Sequence, residues 1–358
     1  MSVYDYEGNE ISSTAELTDA QIQLAFSKAL TDGTIKVLTH IGDTLGIDPL
    51  ANYNQEYMNT AYASLLAAYQ AHPNSVPFFI QSDEHGRGME IQRYANNLDV
   101  DGLEYANING GDTVVDTYGT QALTDAYERI KYVKNYLGVA GNHDYKSSSE
   151  TLSPFVIRNI FGTTNLERRM ITTCDLSCYV AYHPKHTVKF ICLDLYDSRG
   201  IMSGMAHPYV NTEVADWLID ELNRNDGYDI VVIMHEPEFI TYKHRDDAEY
   251  TAFDRHALFD LLLARKNKTS GTYTDAESET HSFDFTSTKD NVLCMLSGHW
   301  HDEVYSDADG LTVYVQDWAG ANKYGGTFGL IDRDSNLLRI FSFDNVNGVK
   351  QELDLSLQ

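Results

Sequence analysis

Five places in the sequence put metal-ligating side chains directly after a short apolar run. Val76 to Gln81 leads into Ser82-Asp83-Glu84-His85, and Ala106 to Asn109 leads into Gly110-Gly111-Asp112. Leu137-Gly138-Val139-Ala140 leads into Gly141-Asn142-His143-Asp144. Asp229 to Met234 delivers His235, and Asn291 to Leu296 delivers Ser297-Gly298-His299-Trp300-His301. Loops at strand ends hold side chains in fixed directions while leaving them accessible, so catalytic groups often sit there. Asp, His and a single Asn suit borderline divalent ions such as Mn, Fe or Zn. The donors are too many for one tetrahedral ion and enough for two ions sharing a carboxylate. Two ions about 3.5–4 Å apart can clamp a phosphoryl group and lower the pKa of a shared water. Taken singly, each residue has an ordinary role. A strand-end Asp or Asn is a turn former, and His235, His299 or His301 could each be a satisfied structural histidine. The five junctions together carry the metal reading.

Such a site needs a scaffold, and the composition supplies one. The 358 residues, 42% hydrophobic and 22% charged, are enough for one large domain or two ordinary ones with a real core. The formal net charge of −27 repels phosphate backbones and anionic membranes. Long nucleic acid is therefore disfavoured as a partner, whereas a small phosphorylated substrate fits if metal ions supply local positive charge. No apolar run of about 18 residues predicts a membrane span. The start, Met1 to Glu7, shows no signal-peptide pattern, so the expectation is either a cytoplasmic chain or one whose targeting segment is missing from this sequence, with the compartment left unknown. Cys192 and Cys294 lie in strand-like runs as core thiols, and Cys174 and Cys178 lack the partners of a zinc finger.

Residues 1–75 read as a polar arm and helical lead-in, with one helix from Thr18 and another carrying Met58, Tyr62, Leu65, Leu66 and Tyr69 up to His72-Pro73. Residues 76–345 alternate strands and amphipathic helices and form the catalytic domain. Leu123 to Leu137 marks one helix, Val214 to Leu222 a second after the cap Asn211, and Leu258 to Leu262 a third. Lys266 to Asp290 is polar and reads as an exposed loop at the rim of the site. Three strands follow, at Thr312–Val315, Thr327–Ile331 and Leu337–Phe343, and residues 346–358 read as a C-terminal tail. Alternation followed by strand-turn-strand predicts an α/β fold of two packed sheets with helices outside.

Asp83-Glu84-His85, Gly111-Asp112, Gly141-Asn142-His143-Asp144, His235 and Gly298-His299-Trp300-His301 together resemble the ordered motifs of the calcineurin-like metallophosphoesterases. The resemblance runs from about Val76 to Phe343. It implies a four-layer sandwich of two mixed β-sheets flanked by α-helices, and a dinuclear metal phosphoesterase that attacks a phosphomonoester or phosphodiester with a metal-bridging hydroxide. It implies that Asp83, His85 and His301 hold one ion, that Asn142, His235 and His299 hold the other, and that Asp112 bridges them. His143 would face the substrate as phosphate contact or general acid, with Asp144 orienting it. Val115 replaces the tyrosine of the purple acid phosphatases, so no iron–tyrosinate centre is expected. Arg87 and Trp300 are candidate substrate contacts. The competing reading is a structural or attachment protein carrying an idle domain of this type. It predicts damaged motifs, and these are intact.

Overall fold

The computed structural model describes residues 3–4, 10–11, 55–83, 103–112, 133–145, 166, 168–170, 178–195, 210–238, 241–244, 249–251, 257–307, 309–317, 325–344 and 348–357. The predicted helices from Thr18 and Leu123, and Cys174, lie outside them. A short N-terminal hairpin pairs β1 (Val3–Tyr4) with β2 (Glu10–Ile11).

Two mixed sheets dominate. The six-stranded sheet takes β3 (Val76–Gln81), β4 (Ala106–Asn109), β5 (Tyr136–Gly138), β17 (Gly326–Asp332), β18 (Leu337–Asp344) and β19 (Gly348–Ser356) in the order β19-β18-β17-β3-β4-β5. The nine-stranded sheet takes β6 (Arg168–Met170), β7 (Tyr179–Tyr182), β8 (Val188–Leu193), β9 (Asp229–Met234), β10 (Thr241–His244), β11 (Glu249–Thr251), β14 (Val292–Ser297), β15 (Val304–Ser306) and β16 (Thr312–Val315). Its order is β11-β10-β15-β16-β14-β9-β8-β7-β6. The parallel core of the first is β3-β4-β5, and that of the second is β8-β9-β14-β16.

Side-chain alternation builds the layers. Along β3, Val76, Phe78 and Ile80 enter the core between the sheets, while Phe79 turns to the outer face. Along β9, Val231 and Ile233 point inward, and Ile230, Val232 and Met234 point outward. Strands buried on both faces read as continuous apolar runs, which is why they are conspicuous in the sequence.

Helix α1 (Gln55–Ala71) lays Met58, Ala61, Tyr62 and Leu65 on the outer face of the six-stranded sheet, against Phe79, Phe328, Phe341 and Phe343. A single turn, α2 (Asn142–Tyr145), follows β5. On the other side lie α3 (Thr212–Asn223), capped by Asn211 as expected, and α4 (Ala257–Lys266). Four layers result, as the family resemblance implies.

The helix at 55–71, in the stretch read as a lead-in, packs as an outer layer of the sandwich. Three expectations change. Residues 348–356 are the edge strand β19 rather than a tail, because Leu353, Leu355 and Leu357 alternate into the core. Leu137 belongs to β5, its side chain buried between the sheets, and not to the helix predicted to end there. The polar stretch 266–290 holds a hairpin, β12 (Ser270–Thr274) with β13 (Thr280–Asp284). It packs on α3 and α4 through Tyr273, Phe283 and Phe285, so three aromatic anchors suffice where the rest is polar.

The two sheets are also joined at β5, the edge leading to Gly141. The Tyr179 hydroxyl of β7 donates to the Gly138 carbonyl at 2.8 Å and accepts from the Gly138 N–H at 2.9 Å. Tyr179→Phe removes this partner from two buried backbone groups. Its expected cost is about 1–3 kcal/mol, read as a lower urea midpoint with an unchanged m-value.

Candidate metal centre

The C-terminal ends of the parallel strands in both sheets meet at one end of the sandwich. Asp83 follows β3, Asp112 follows β4 and Asn142 opens the turn after β5. His235 follows β9, and His299 and His301 follow β14. The crevice beyond the carboxyl ends of parallel strands is where open α/β sheets place their ligands.

Two groups of donors converge there. Asp112, His235 and His299 bring one ligand atom each within 4.8 Å of one another, as do Asp83, Asp112 and His301, so Asp112 belongs to both groups. Asn142 joins the first. Its Oδ1 lies 3.2 Å from His235 Nε2 and 3.1 Å from His299 Nδ1, and those two nitrogens are 3.2 Å apart. His235 Nε2 is also 3.2 Å from Asp112 Oδ2. Bonds of about 2.0–2.1 Å to one ion give ligand separations of about 2.9 Å in an octahedron and about 3.3 Å in a tetrahedron. The observed spacing fits that range.

Two buried oxygens single themselves out. Among the described residues, neither Asp83 Oδ1 nor Asp112 Oδ2 receives an aligned hydrogen bond. Their neighbours are imidazoles, His301 Nε2 at 3.2 Å from the first and His235 Nε2 at 3.2 Å from the second. A buried acceptor left this way is costly unless something else satisfies it. The other oxygen of each carboxylate is fully engaged. Asp83 Oδ2 accepts from the Ser82 hydroxyl and the His299 N–H, both at 2.8 Å, and Asp112 Oδ1 accepts from the His143 N–H at 2.7 Å. The donor types, their spacing and the two orphaned oxygens all fit divalent metal ions.

The surrounding backbone enforces this arrangement. His235 Nδ1 lies 2.8 Å from the Gly110 carbonyl, which can only accept, so that nitrogen carries the proton and Nε2 is the one aimed at the site. Asp83, Asp112, His299 and His301 all have positive φ, at 53°, 56°, 76° and 55°. Non-glycine residues in this region cost about 1 kcal/mol or more each and persist only where surrounding structure fixes them. At His299 a Trp300 N–H to Gly298 carbonyl bond of 3.0 Å closes a tight γ-turn. At Asp112 the fixing group is Asp144, whose Oδ2 accepts from the Asp112 N–H at 2.9 Å and the Gly141 N–H at 2.8 Å. A Cβ on Gly141 would run into the Asp112 carboxylate, so this approach requires glycine.

Electrostatics follows from burial and pairing. Burial alone would raise the pKa of both carboxyls. For Asp83 the neighbouring His301 imidazole, and for Asp112 the charge of His235, outweigh it and hold both below the usual carboxylate range. Burial would likewise lower His235, but Asp112 beside it carries it up to about 10. His299 is pushed down by burial and by His235.

His143 sits at the rim, its side chain 28% exposed and its Nε2 4.0 Å from Asp112 Oδ2. Trp300 is half-buried, its ring edge-on to Tyr242 at 4.8 Å and packed on the outer core of the nine-stranded sheet. His85 and Arg87 lie outside the described residues. The sequence reading gave no role to Ser82 or Gln316. Gln316 Oε1 accepts from the Ser82 N–H at 2.9 Å and lies 2.9 Å from the Ser82 hydroxyl. The available signal was that Val315-Gln316-Asp317 is a sixth strand end with polar residues.

Behind His235, the buried Glu238 carboxylate accepts the Phe259 N–H in the first turn of α4 at 2.6 Å. Burial pushes this carboxyl from 4.5 up to about 8. The folded protein therefore holds the Glu238 proton more tightly than the unfolded chain. The associated stability is present below about pH 4.5 and is lost as pH rises through about 8. Glu238→Gln keeps the acceptor and removes the titration. It is expected to be more stable than wild type at about pH 9 and not at about pH 4, measured by urea unfolding.

The two packed mixed sheets, with the motifs at their shared end, form the kind of α/β sandwich that the ordered sequence motifs imply. No family model and no curated protein matches the sequence. Among solved structures, the chain is similar to a Staphylococcus aureus protein assigned as a 5'-nucleotidase. Identity is 13% and the TM-score 0.40, over 79% of this chain and 54% of that one, so the chain spans about half that protein's length. It is similar to GAP50, the anchor in the inner membrane complex of Plasmodium, at 11% identity and TM-score 0.39, over 79% and 89% of the two chains. A third similarity is to the phosphopantetheinyl hydrolase of Mycobacterium tuberculosis, at 11% identity and TM-score 0.35, over 68% and 90%. At these TM-scores the similarities carry no argument about reaction or substrate.

Proposed function

We propose that the chain is a metal-dependent phosphoric ester hydrolase with a centre for two divalent ions of the Mn, Fe or Zn kind. The observation that carries this reading is the pair of buried, orphaned carboxylate oxygens, each facing imidazole nitrogens in two donor groups that share Asp112. Two such ions, when bound, supply a positive centre for a phosphoryl group and acidify a water for attack at neutral pH.

The protein's own residues then have separable tasks. Asp83 and His301 on one side, and Asn142, His235 and His299 on the other, hold the ions, with Asp112 common to both. Asp144 fixes the backbone of Asp112 and Gly141, and so the direction in which Asp112 presents Oδ2. His143 binds or protonates substrate from the rim, because its ring is partly exposed and imidazole is the side chain most often used for proton transfer. The intact ligand set speaks against the idle structural reading. With a net charge of −27, the substrate is a small phosphoester rather than a long polyanion.

Metal analysis together with hydrolysis of nitrophenyl mono- and diesters tests this. The expected result is two ions per chain and metal-dependent turnover; a protein that takes up no metal at saturation overturns the reading. His143→Ala is expected to keep its metal and lose about 10²–10⁴-fold in rate, less with a nitrophenolate leaving group than with an alkyl alcohol if His143 is the acid. Asp112→Ala is expected to lose metal as well. Turnover of long DNA or RNA at physiological salt should fall far below that of a small diester; comparable rates contradict the charge argument.

A further inference from the structure

The candidate ligands come from different sheets. Asp83, Asp112 and Asn142 belong to the six-stranded sheet, and His235, His299 and His301 belong to the nine-stranded sheet. The gap between the two sheets therefore sets whether Asp83 and His301 can share an ion. Gln316 spans that gap. It follows β16, and its backbone N–H donates to the Ser297 carbonyl of neighbouring β14 at 2.9 Å. From that anchored position its buried side chain reaches across to Ser82, at the end of β3. Only an oxygen can accept from the Ser82 N–H, so the amide orientation is fixed.

The Ser82 hydroxyl carries one proton and lies near two acceptors, Gln316 Oε1 at 2.9 Å and Asp83 Oδ2 at 2.8 Å. An ionised carboxylate is the stronger acceptor, so the proton goes to Asp83. Together with the His299 N–H, this occupies Oδ2 and leaves Oδ1 facing His301. A Cβ on Gly298 would collide with Ser82, so the two sheet ends are already at their closest approach here.

We infer that Gln316 is a positioning residue that clamps the two sheets together at the metal centre. Through Ser82 it selects Asp83 Oδ1 as the oxygen presented to the ion shared with His301. This rests on the two-ion reading above. Its signature is selective, because the group of Asp112, Asn142, His235 and His299 has its own cross-sheet tie through His235 and the Gly110 carbonyl.

Mn(II) binding to the full chain, followed by titration and electron paramagnetic resonance, tests the clamp in wild type, Gln316→Met and Ser82→Ala. Wild type should bind two Mn(II) with the spin-coupled signal of neighbouring ions. Gln316→Met should bind one Mn(II) with wild-type affinity and the second about 10–100-fold more weakly, losing the coupled signal at limiting metal. Ser82→Ala retains the backbone bond to Gln316 and should show a smaller loss at the same ion, which keeps the test decisive if Gln316→Met does not fold. Wild-type affinity for both ions in the variants overturns the clamp, and so does equal loss of both. Failure of wild type to bind Mn(II) overturns the two-ion reading itself.

Discussion

Asp83 and Asp112 are fully buried carboxylates placed side by side at the end of a sandwich, and both are held ionised. Burying one such charge without compensation is costly, and the cost grows when a second lies beside it. Much of the surrounding structure offsets that cost. Each carboxylate uses one oxygen to accept N–H or O–H donors from its own neighbourhood. Each turns the other oxygen toward imidazoles from the opposite sheet. The arrangement is complete on one side and open on the other, and an open side lined by Asp, Asn and His is what a divalent cation fills.

The same constraint explains where backbone strain is stored. Four of the candidate ligand residues, Asp83, Asp112, His299 and His301, have left-handed backbone, although none is glycine. A strand that simply continued would send these side chains along the alternating faces of the sheet, into the core. Reversing the backbone two to four residues past the strand end turns them across the top of the sandwich instead. That reversal is unfavourable locally, and Asp144, the Gly110 carbonyl and the tight turn at His299 hold it in place. Gly141 is needed because the Asp112 carboxylate passes too close for any Cβ, and Gly298 because the Ser82 side chain does.

Charge acts on two scales. The chain as a whole is strongly acidic, with a formal charge of −27, whereas the site concentrates imidazoles around its two carboxylates. Under the proposed function, long-range repulsion of polyanions and short-range capture of a phosphoryl group are compatible, because the cations that would capture it would be held locally.

Sequence alone determined the strand ends and the chemistry at them. Doubly buried strands such as Val76–Gln81 and Asp229–Met234 are continuous apolar runs, and a polar residue directly after such a run is visible without knowing the fold. The cap Asn211 and the helix it starts were legible for the same reason, since both are local. Pairing across the chain was not. Leu353, Leu355 and Leu357 alternate in a segment too polar to stand out, and only their burial against the neighbouring strand makes residues 348–356 a sheet edge. The polar hairpin at 270–284 depends likewise on three aromatics finding α3 and α4. At the site, nothing in the sequence joins Gln316 to Ser82, 234 residues apart, or assigns Asp144 to the backbone of Asp112. The identity of each ligand is written in the residue itself. Which of its atoms faces the metal depends on what occupies the others, and those partners come from the opposite sheet or a neighbouring loop, so only the tertiary structure decides it.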